Sequence, residues 1–310
     1  MNVVFEKITI IGLGLIGSSL ARVIKQKGLA GKLTAADASK DVCAKVKELG
    51  LADVVTHDIA KSVIGSDLVI LAIPVSGLKG VAEAIGPMMK PGAVLTDVSS
   101  VKSAVIEAVT PFLPESVDFV PGHPIAGTEH SGPEAGLVDL FEGRWCILTP
   151  TAQTPIKAVE KVTTLWEGCG AVIEIMEARH HDLVLGITSH LPHLIAYTIV
   201  GTANDLEDDI KSEVIKFSAS GFRGFTRIAA SDPVMWRDIF MNNKEAVLEI
   251  LERFNADLTA MQKAIRRGDA KHLEDVFTRT RAIRREVMEM GPEGYPNPAL
   301  MKQGTDSEKP

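Results

Sequence analysis

The sequence predicts an α/β protein, a doubly wound parallel sheet followed by an all-helical half. Three observations carry that prediction. Over residues 1–176, short β-rich runs alternate with stretches of helical spacing, the pattern of βαβ units whose helices cover both faces of a parallel sheet. Beyond Met176 no strand pattern recurs, and apolar residues fall at three- and four-residue intervals. The 310 residues exceed one ordinary domain of ~150, and a composition of 45% hydrophobic and 24% charged residues is that of a chain with a core to bury.

Taken in order, strands are expected at 7–11, 32–36, 67–73, 93–96 and 118–120. Gly28, Gly31, Gly50 and the Pro91-Gly92 pair punctuate the joins between them. Two more strand-like runs, 144–148 and 171–176, flank a helix carrying Val159, Val162 and Leu165, and read as the last strands of the same sheet. Residues 177–202 read as one long helix interrupted near Pro192. Ser231-Asp232-Pro233 is a helix start, and the helix beyond it bears Val247, Ile250, Leu251, Phe254, Leu258, Met261 and Ile265 as a broad apolar stripe. Gly268-Asp269 breaks the pattern. A final helix is expected to bury Leu273, Val276, Phe277, Ile283 and Val287. The domains expected are therefore 1–176, 177–290 and a loose tail, 291–310.

A net charge of −7 argues against a nucleic-acid partner, which needs a basic face. Three cysteines, Cys43, Cys146 and Cys169, contain no CxxC pair, so neither a disulfide framework nor a structural zinc site is expected. The apolar stretches read as strand-length, and no basic leader precedes the first strand. The expectation is a soluble cytoplasmic protein without a membrane partner.

The strongest local signal follows the first strand. Gly12-Leu13-Gly14-Leu15-Ile16-Gly17 is a Rossmann-type fingerprint, with a strand before it, a helix after it and Asp37 twenty residues past Gly17. Gly12 permits the tight turn, Gly14 lets backbone approach a pyrophosphate, and Gly17 allows close helix–strand packing. The helix N-terminus supplies amides to the phosphates. Asp37 would accept a ribose 2′-hydroxyl and repel a 2′-phosphate, which favours NAD over NADP, although Lys40 lies close enough to blur the contrast. Leu15, Ile16 and Pro74 complete the candidate cofactor set. The plainer reading is a strand–turn–helix with no ligand.

Two further segments fall at strand ends, where open α/β sheets place their sites. One is Thr96-Asp97-Val98-Ser99-Ser100-Val101-Lys102; the other is Gly122-His123-Pro124-Ile125-Ala126-Gly127-Thr128-Glu129. A histidine between glycine and proline reads as a loop residue whose ring can face the cleft. Asp97 reads as the cap of a helix beginning near Ser99. His180-His181 reads as a solvated helix start, and Arg223 and Glu129 as a possible ion pair at the site mouth.

These segments, with Ser189-His190-Leu191-Pro192-His193 and the run from Phe225 to Trp236 (FTRIAASDPVMW), resemble the prephenate/arogenate (cyclohexadienyl) dehydrogenase family of tyrosine biosynthesis. The resemblance spans about residues 5–290 in order. It implies NAD-dependent oxidative decarboxylation, with His123 as the base at the ring hydroxyl, Ser100 assisting it, and Arg227 and His193 contacting substrate. It also implies a homodimer formed by the helical half. Thr128 and Trp236 join the substrate set, Trp236 being either a pocket wall or an interdomain packing residue. Residue chemistry agrees: prephenate carries two carboxylates, and Arg227 offers a permanent planar fork, its plainer reading being a surface ion pair. Neutral His193 is expected to donate to substrate, and His190 to be structural. No third ligand accompanies His190 and His193, so no metal is expected. The rival readings are a β-hydroxyacid dehydrogenase, which relies on a lysine where this chain has 189–193, and a non-catalytic NAD sensor, which would not need His123 and Arg227 together.

Overall fold

The computed structural model describes residues 3–128, 130–205 and 220–289. Its core is a six-stranded parallel sheet, built from β1 (Phe5–Ile11), β2 (Ala30–Ala36), β3 (Val54–Thr56), β4 (Leu68–Leu71), β5 (Val94–Asp97) and β6 (Asp118–Val120) in the order β3-β2-β1-β4-β5-β6. The reversal of order at β1 makes it doubly wound. Side chains alternate between two hydrophobic clusters, as a strand's period of two requires. Ile8, Ile10, Leu68, Ile70 and Val94 pack on one face with α1 (Leu15–Lys27) and α6 (Ile156–Cys169). Ile11, Val69, Leu71 and Leu95 pack on the other with α4 (Val75–Ile85) and α5 (Ser103–Val109). The short β3, with α2 (Lys40–Glu48) before it and α3 (Ile59–Ser62) after it, lay outside the expected strands.

The expectation of one continuous sheet is corrected. Residues 144–148 and 171–176 supply β8 (Trp145–Leu148) and β9 (Val172–Ile175) of a separate three-stranded sheet, begun by β7 (Gly122–Pro124). β7 pairs antiparallel to β8, whereas β8 and β9 are parallel. The cause is local: one residue, Pro121, separates β6 from β7, and a residue without an N–H cannot donate to the ladder. The chain leaves the first sheet there, so His123 is on a strand rather than a loop.

The chain divides into two compact units, Met1–Ile250 and Leu251–Pro310, and the expected boundary at 176/177 lies inside the first. In that unit follow α7 (Ala178–Leu185), a π-helical turn (Gly186–His190), α8 (Leu191–Asn204), α9 (Ser220–Thr226), a 3₁₀ turn (Arg227–Ala230) and α10 (Pro233–Asn242). The expected break near Pro192 is thus a wide turn just before it, and the proline sits in the first turn of α8, where its missing N–H costs nothing. Asp232 caps α10, its Oδ1 accepting the amides of Val234 and Met235 at 2.8 Å each. Trp236 and Ile239 on α10 join the cluster around α4. The run Ala178–Asn204 also corrects the reading that no apolar stretch exceeds strand length. Its 27 helical residues reach a mean hydropathy of 1.5 in their most apolar window, long and apolar enough to cross a membrane by length and composition. It nevertheless buries His181, Asp182 and His190.

The long α11 (Lys244–Arg267) begins in the first unit, where Val247 and Ile250 are buried. The second unit comprises the remainder of α11 and α12 (Ala270–Glu289). Here burial of the last helix is corrected: Phe277 is 58% exposed and Ile283 53%, with Leu258 and Ile265 exposed on α11. Two helices present more apolar face than they can cover. The expected burial of the Val287 side chain, and the tail 291–310, lie outside the described residues.

Candidate active site

The glycine turn follows from steric necessity. Gly12 has φ +93°, and a Cβ there would stand 2.3 Å from Ala72 O. A Cβ on Gly17 would stand 1.9 Å from Gly12 O, so α1 can approach the turn only without one. At Gly14 a Cβ would meet nothing within 4 Å. Gly14 also begins α1 with no side-chain cap, and the Leu15–Ile16 turn follows directly. Asp37, at the end of β2, accepts Leu13 N on Oδ2 and Ser39 N on Oδ1, both at 2.9 Å. Each oxygen keeps a lone pair for a further donor. Pro74 begins α4 beyond the end of β4, the strand beside β1. Open space over a glycine, an uncapped helix N-terminus and an anchored carboxylate suit a dinucleotide with a free ribose 2′-hydroxyl.

The second centre lies beyond β5 and β6. Lys102 is fully buried, and its Nζ donates to Asp97 Oδ2 and to Gly122 O, both at 2.6 Å. Asp97 accepts Ser99 N at 2.9 Å on Oδ2 and Gly122 N at 3.1 Å on Oδ1. It therefore clamps a turn and the start of β7. The expected helix cap is corrected, because α5 starts at Ser103 and its leading amides find another carboxylate: Lys102 N and Ser103 N donate to Asp182 Oδ1 and Oδ2, at 2.8 and 2.9 Å.

His123, on β7, pairs with Ile147 of β8 and is 8% exposed. Its Nδ1 lies 2.8 Å from His181 Nε2, the rings meeting edge to face. Burial, reinforced by the neighbouring His181 and Lys102, pushes the His123 imidazole well below its ordinary range, so it is neutral at pH 7. The solvated reading of 180–181 is half corrected: His180 is exposed, but His181 is buried, with Nδ1 3.0 Å from Asp182 Oδ1. Burial opposes ionisation of Asp182, yet the hydrogen bonds from His181, Ser103 and Lys102 outweigh it and hold the carboxyl low.

His193 stacks on Trp236, ring centroids 3.6 Å apart. Its Nδ1 is 2.9 Å from Ser189 O, an acceptor, so Nδ1 carries the hydrogen. Burial keeps the ring neutral, and Nε2 is then an acceptor, which corrects the donor role expected of it. The exposed Arg227 also lowers His193, which places its charge within electrostatic reach of that ring. His190 is buried, pushed down to about 4 chiefly by desolvation, and its Nδ1 is 3.0 Å from Asn243 Nδ2. Ser100 is half-buried in the turn between β5 and α5. Thr128 is exposed, its Oγ1 accepting His130 N at 3.3 Å. The Arg223–Glu129 pair falls outside the described residues, since Glu129 is among those left out. Sequence reasoning missed His181, Asp182, Lys102 and Asn243 as parts of the site. The one available signal was a His-Asp pair standing in an otherwise apolar helix.

A dinucleotide turn at the carboxyl edge of a parallel sheet, with a neutral buried imidazole on the strand that follows its last member, is the arrangement of an oxidoreductase. Two family models match the chain, the nucleotide-binding domain of prephenate dehydrogenase over residues 20–175 and its dimerization domain over 177–279. A cyclohexadienyl dehydrogenase of Zymomonas mobilis is 42% identical over 91% of this chain and 96% of its own. A prephenate dehydrogenase of Bacillus subtilis is 33% identical over 89% and 75%. The solved structure of Aquifex aeolicus prephenate dehydrogenase with hydroxyphenyl propionate and NAD+ superposes with a TM-score of 0.85 at 36% identity, covering 91% of this chain and 98% of that one. The chain belongs to the prephenate dehydrogenase family.

The two glycines separate folding from ligand binding. Gly17→Ala should lower stability by about 1–3 kcal/mol through forced overpacking. Gly14→Ala, with room for its methyl, should leave Tm unchanged and weaken dinucleotide binding. Thermal melts and cofactor titrations of both variants check this.

Proposed function

We propose that this chain converts prephenate, arogenate or both to 4-hydroxyphenylpyruvate or tyrosine by oxidative decarboxylation with NAD. The observation that carries the reading is the neutral, buried His123 two residues beyond Pro121, where the chain leaves the parallel sheet. Bound NAD supplies the hydride acceptor, and departure of hydride and of the ring carboxylate as carbon dioxide leaves an aromatic ring. His123 Nε2 takes the proton of the ring hydroxyl, and Ser100 orients that hydroxyl. Arg227 clamps a substrate carboxylate with its fork, His193 Nε2 accepts a substrate donor, and Trp236 and Thr128 line the substrate's place. Gly12, Gly14, Leu15, Ile16, Gly17 and Pro74 cradle the dinucleotide. Asp37 accepts the ribose hydroxyl and repels a 2′-phosphate, so NAD is preferred to NADP.

Functionally the chain divides at 176/177 into a dinucleotide half and a helical half, a reading supported by the two family models meeting between 175 and 177. It works as a homodimer through α11 and α12, supported by the match to a dimerization domain and by exposed Leu258, Ile265, Phe277 and Ile283. A cytoplasmic setting without membrane or nucleic-acid partners accords with a net charge of −7 and three unpaired thiols.

Initial rates with both substrates crossed with NAD and NADP test the reading, with NADH and carbon dioxide expected in equal amounts; NADH without carbon dioxide would overturn it. His123→Asn should cut kcat by roughly 10²–10⁴, the worth of general-base assistance, with little change in KM. Because burial lowers the His123 pKa, the active neutral form persists below pH 6.5. The kcat/KM profile of the wild type should therefore stay level through neutrality and fall only in more acid solution.

Arg227→Ala should cost on the order of 2–4 kcal/mol in kcat/KM, mostly through KM, with NAD affinity retained. Arg227→Lys should restore only part of it, the ammonium lacking the planar fork. Sedimentation at micromolar concentration should give twice the 33.3 kDa chain mass, and a monomer would exclude the obligate dimer.

A further inference from the structure

We propose that His181 and Asp182 form a positioning relay that fixes the tautomer of His123, leaving Nε2 bare to face the substrate. The inference rests on the reading of His123 as the base.

The relay follows from counting hydrogens. Asp182 is ionised and already accepts two backbone amides from the start of α5, so it can only accept from His181. His181 is pushed down, first by burial, and is neutral; its single ring hydrogen therefore sits on Nδ1, toward Asp182 Oδ1 at 3.0 Å. His181 Nε2 is then a bare acceptor. The 2.8 Å contact between that atom and His123 Nδ1 needs one hydrogen, and only His123 can supply it. Neutral His123 spends its one hydrogen there, and Nε2 keeps its lone pair. Without the carboxylate, both rings could turn their hydrogens round, and Nε2 of His123 would carry one and be useless as a base.

The same chain steadies the product of the proton transfer. Once Nε2 has taken the substrate's proton, His123 is a cation whose Nδ1–H still points at His181, and the negative charge of Asp182 lies one ring beyond. The other groups around His123 do not substitute for it. Lys102, from the β5–α5 turn, is a cation paired with Asp97; His190, from the π-helical turn, is a neutral ring; Cys146, on β8, is a thiol that burial holds far above its ordinary range. Asp182 acts at a distance through His181 and is positioned, with the rest of its helix, by Asn243 Nδ2 donating to Asp182 O at 2.9 Å.

Imidazole 15N NMR of the histidine-labelled full chain reads the tautomer directly, with His123→Asn assigning the resonance. The wild type should show His123 protonated at Nδ1; protonation at Nε2 would overturn the proposal without any variant being made. His181→Leu, folded by circular dichroism, should lose that preference and lower kcat about 10- to 100-fold with KM little changed, as loss of an outer hydrogen-bond partner of a working histidine does. His181→Gln, whose carbonyl can accept the same hydrogen, should recover the tautomer and most of kcat. If His181→Leu keeps both the tautomer and kcat, the relay does not exist. If instead His123→Asn leaves kcat intact while the wild-type tautomer is as stated, it is the base role of His123 that fails.

Discussion

Lys102 has no access to water, yet its ammonium holds an Asp97 oxygen and the Gly122 carbonyl while its own amide is held by Asp182. Three elements meet at that residue: the end of β5 and the start of β7 through its ammonium, and α7 through its amide. Burial alone would drive the ammonium neutral, and Asp97 opposes this. A pair so placed adds little net stability against an apolar substitute, but removing either member strands a charge at a cost of about 3–5 kcal/mol. Its value is geometric. The carbonyl it grips belongs to the residue before His123, so the imidazole is aimed by backbone on one side and by His181 on the other.

The buried charges of the centre are spent on one another and on backbone, Lys102 on Asp97 and the Gly122 carbonyl, Asp182 on the leading amides of α5. Four imidazoles, His123, His181, His190 and His193, are all lowered chiefly by desolvation and so stay neutral beside these charges. The exposed Arg227 and the anchored Asp37 carry charge at the two ends, where anions and ribose hydroxyls would be met.

The parallel sheet was legible because its strands are short apolar runs whose alternate residues must feed two helical layers. The glycine turn was legible because its sterics are local: what a Cβ would strike lies in the adjoining turn and strand. His123 was found from its neighbours in sequence, but its strand was not, since β7 exists only through pairing with β8 more than twenty residues later. His181 was misread for the same reason on a larger scale. The His-Asp pair is a weak local signal, and the burial of His181 depends on a contact 58 residues away in the chain. Asp97 was expected to cap the helix after it, and the helix was capped instead by a carboxylate about 80 residues on. The apolar stripe of the last helices was read correctly as a pattern, whereas which of its residues are covered is not a property of one chain's sequence periodicity.

The π-helical turn Gly186–His190 sets a constraint of a different kind. His181 and His193 are twelve residues apart, which at 3.6 residues per turn leaves them about a third of a turn out of phase. A π turn is wider than an α turn, and five residues of it unwind the helix by roughly a quarter turn, bringing the two rings back toward one side. The site therefore depends on how many residues the helix contains as well as on which they are. Straightening the turn into regular helix at constant length would swing His193 about a third of a turn from His181, whereas loss of one residue between them would let the helix run regular with the two rings still on one side, eleven residues being close to three whole turns.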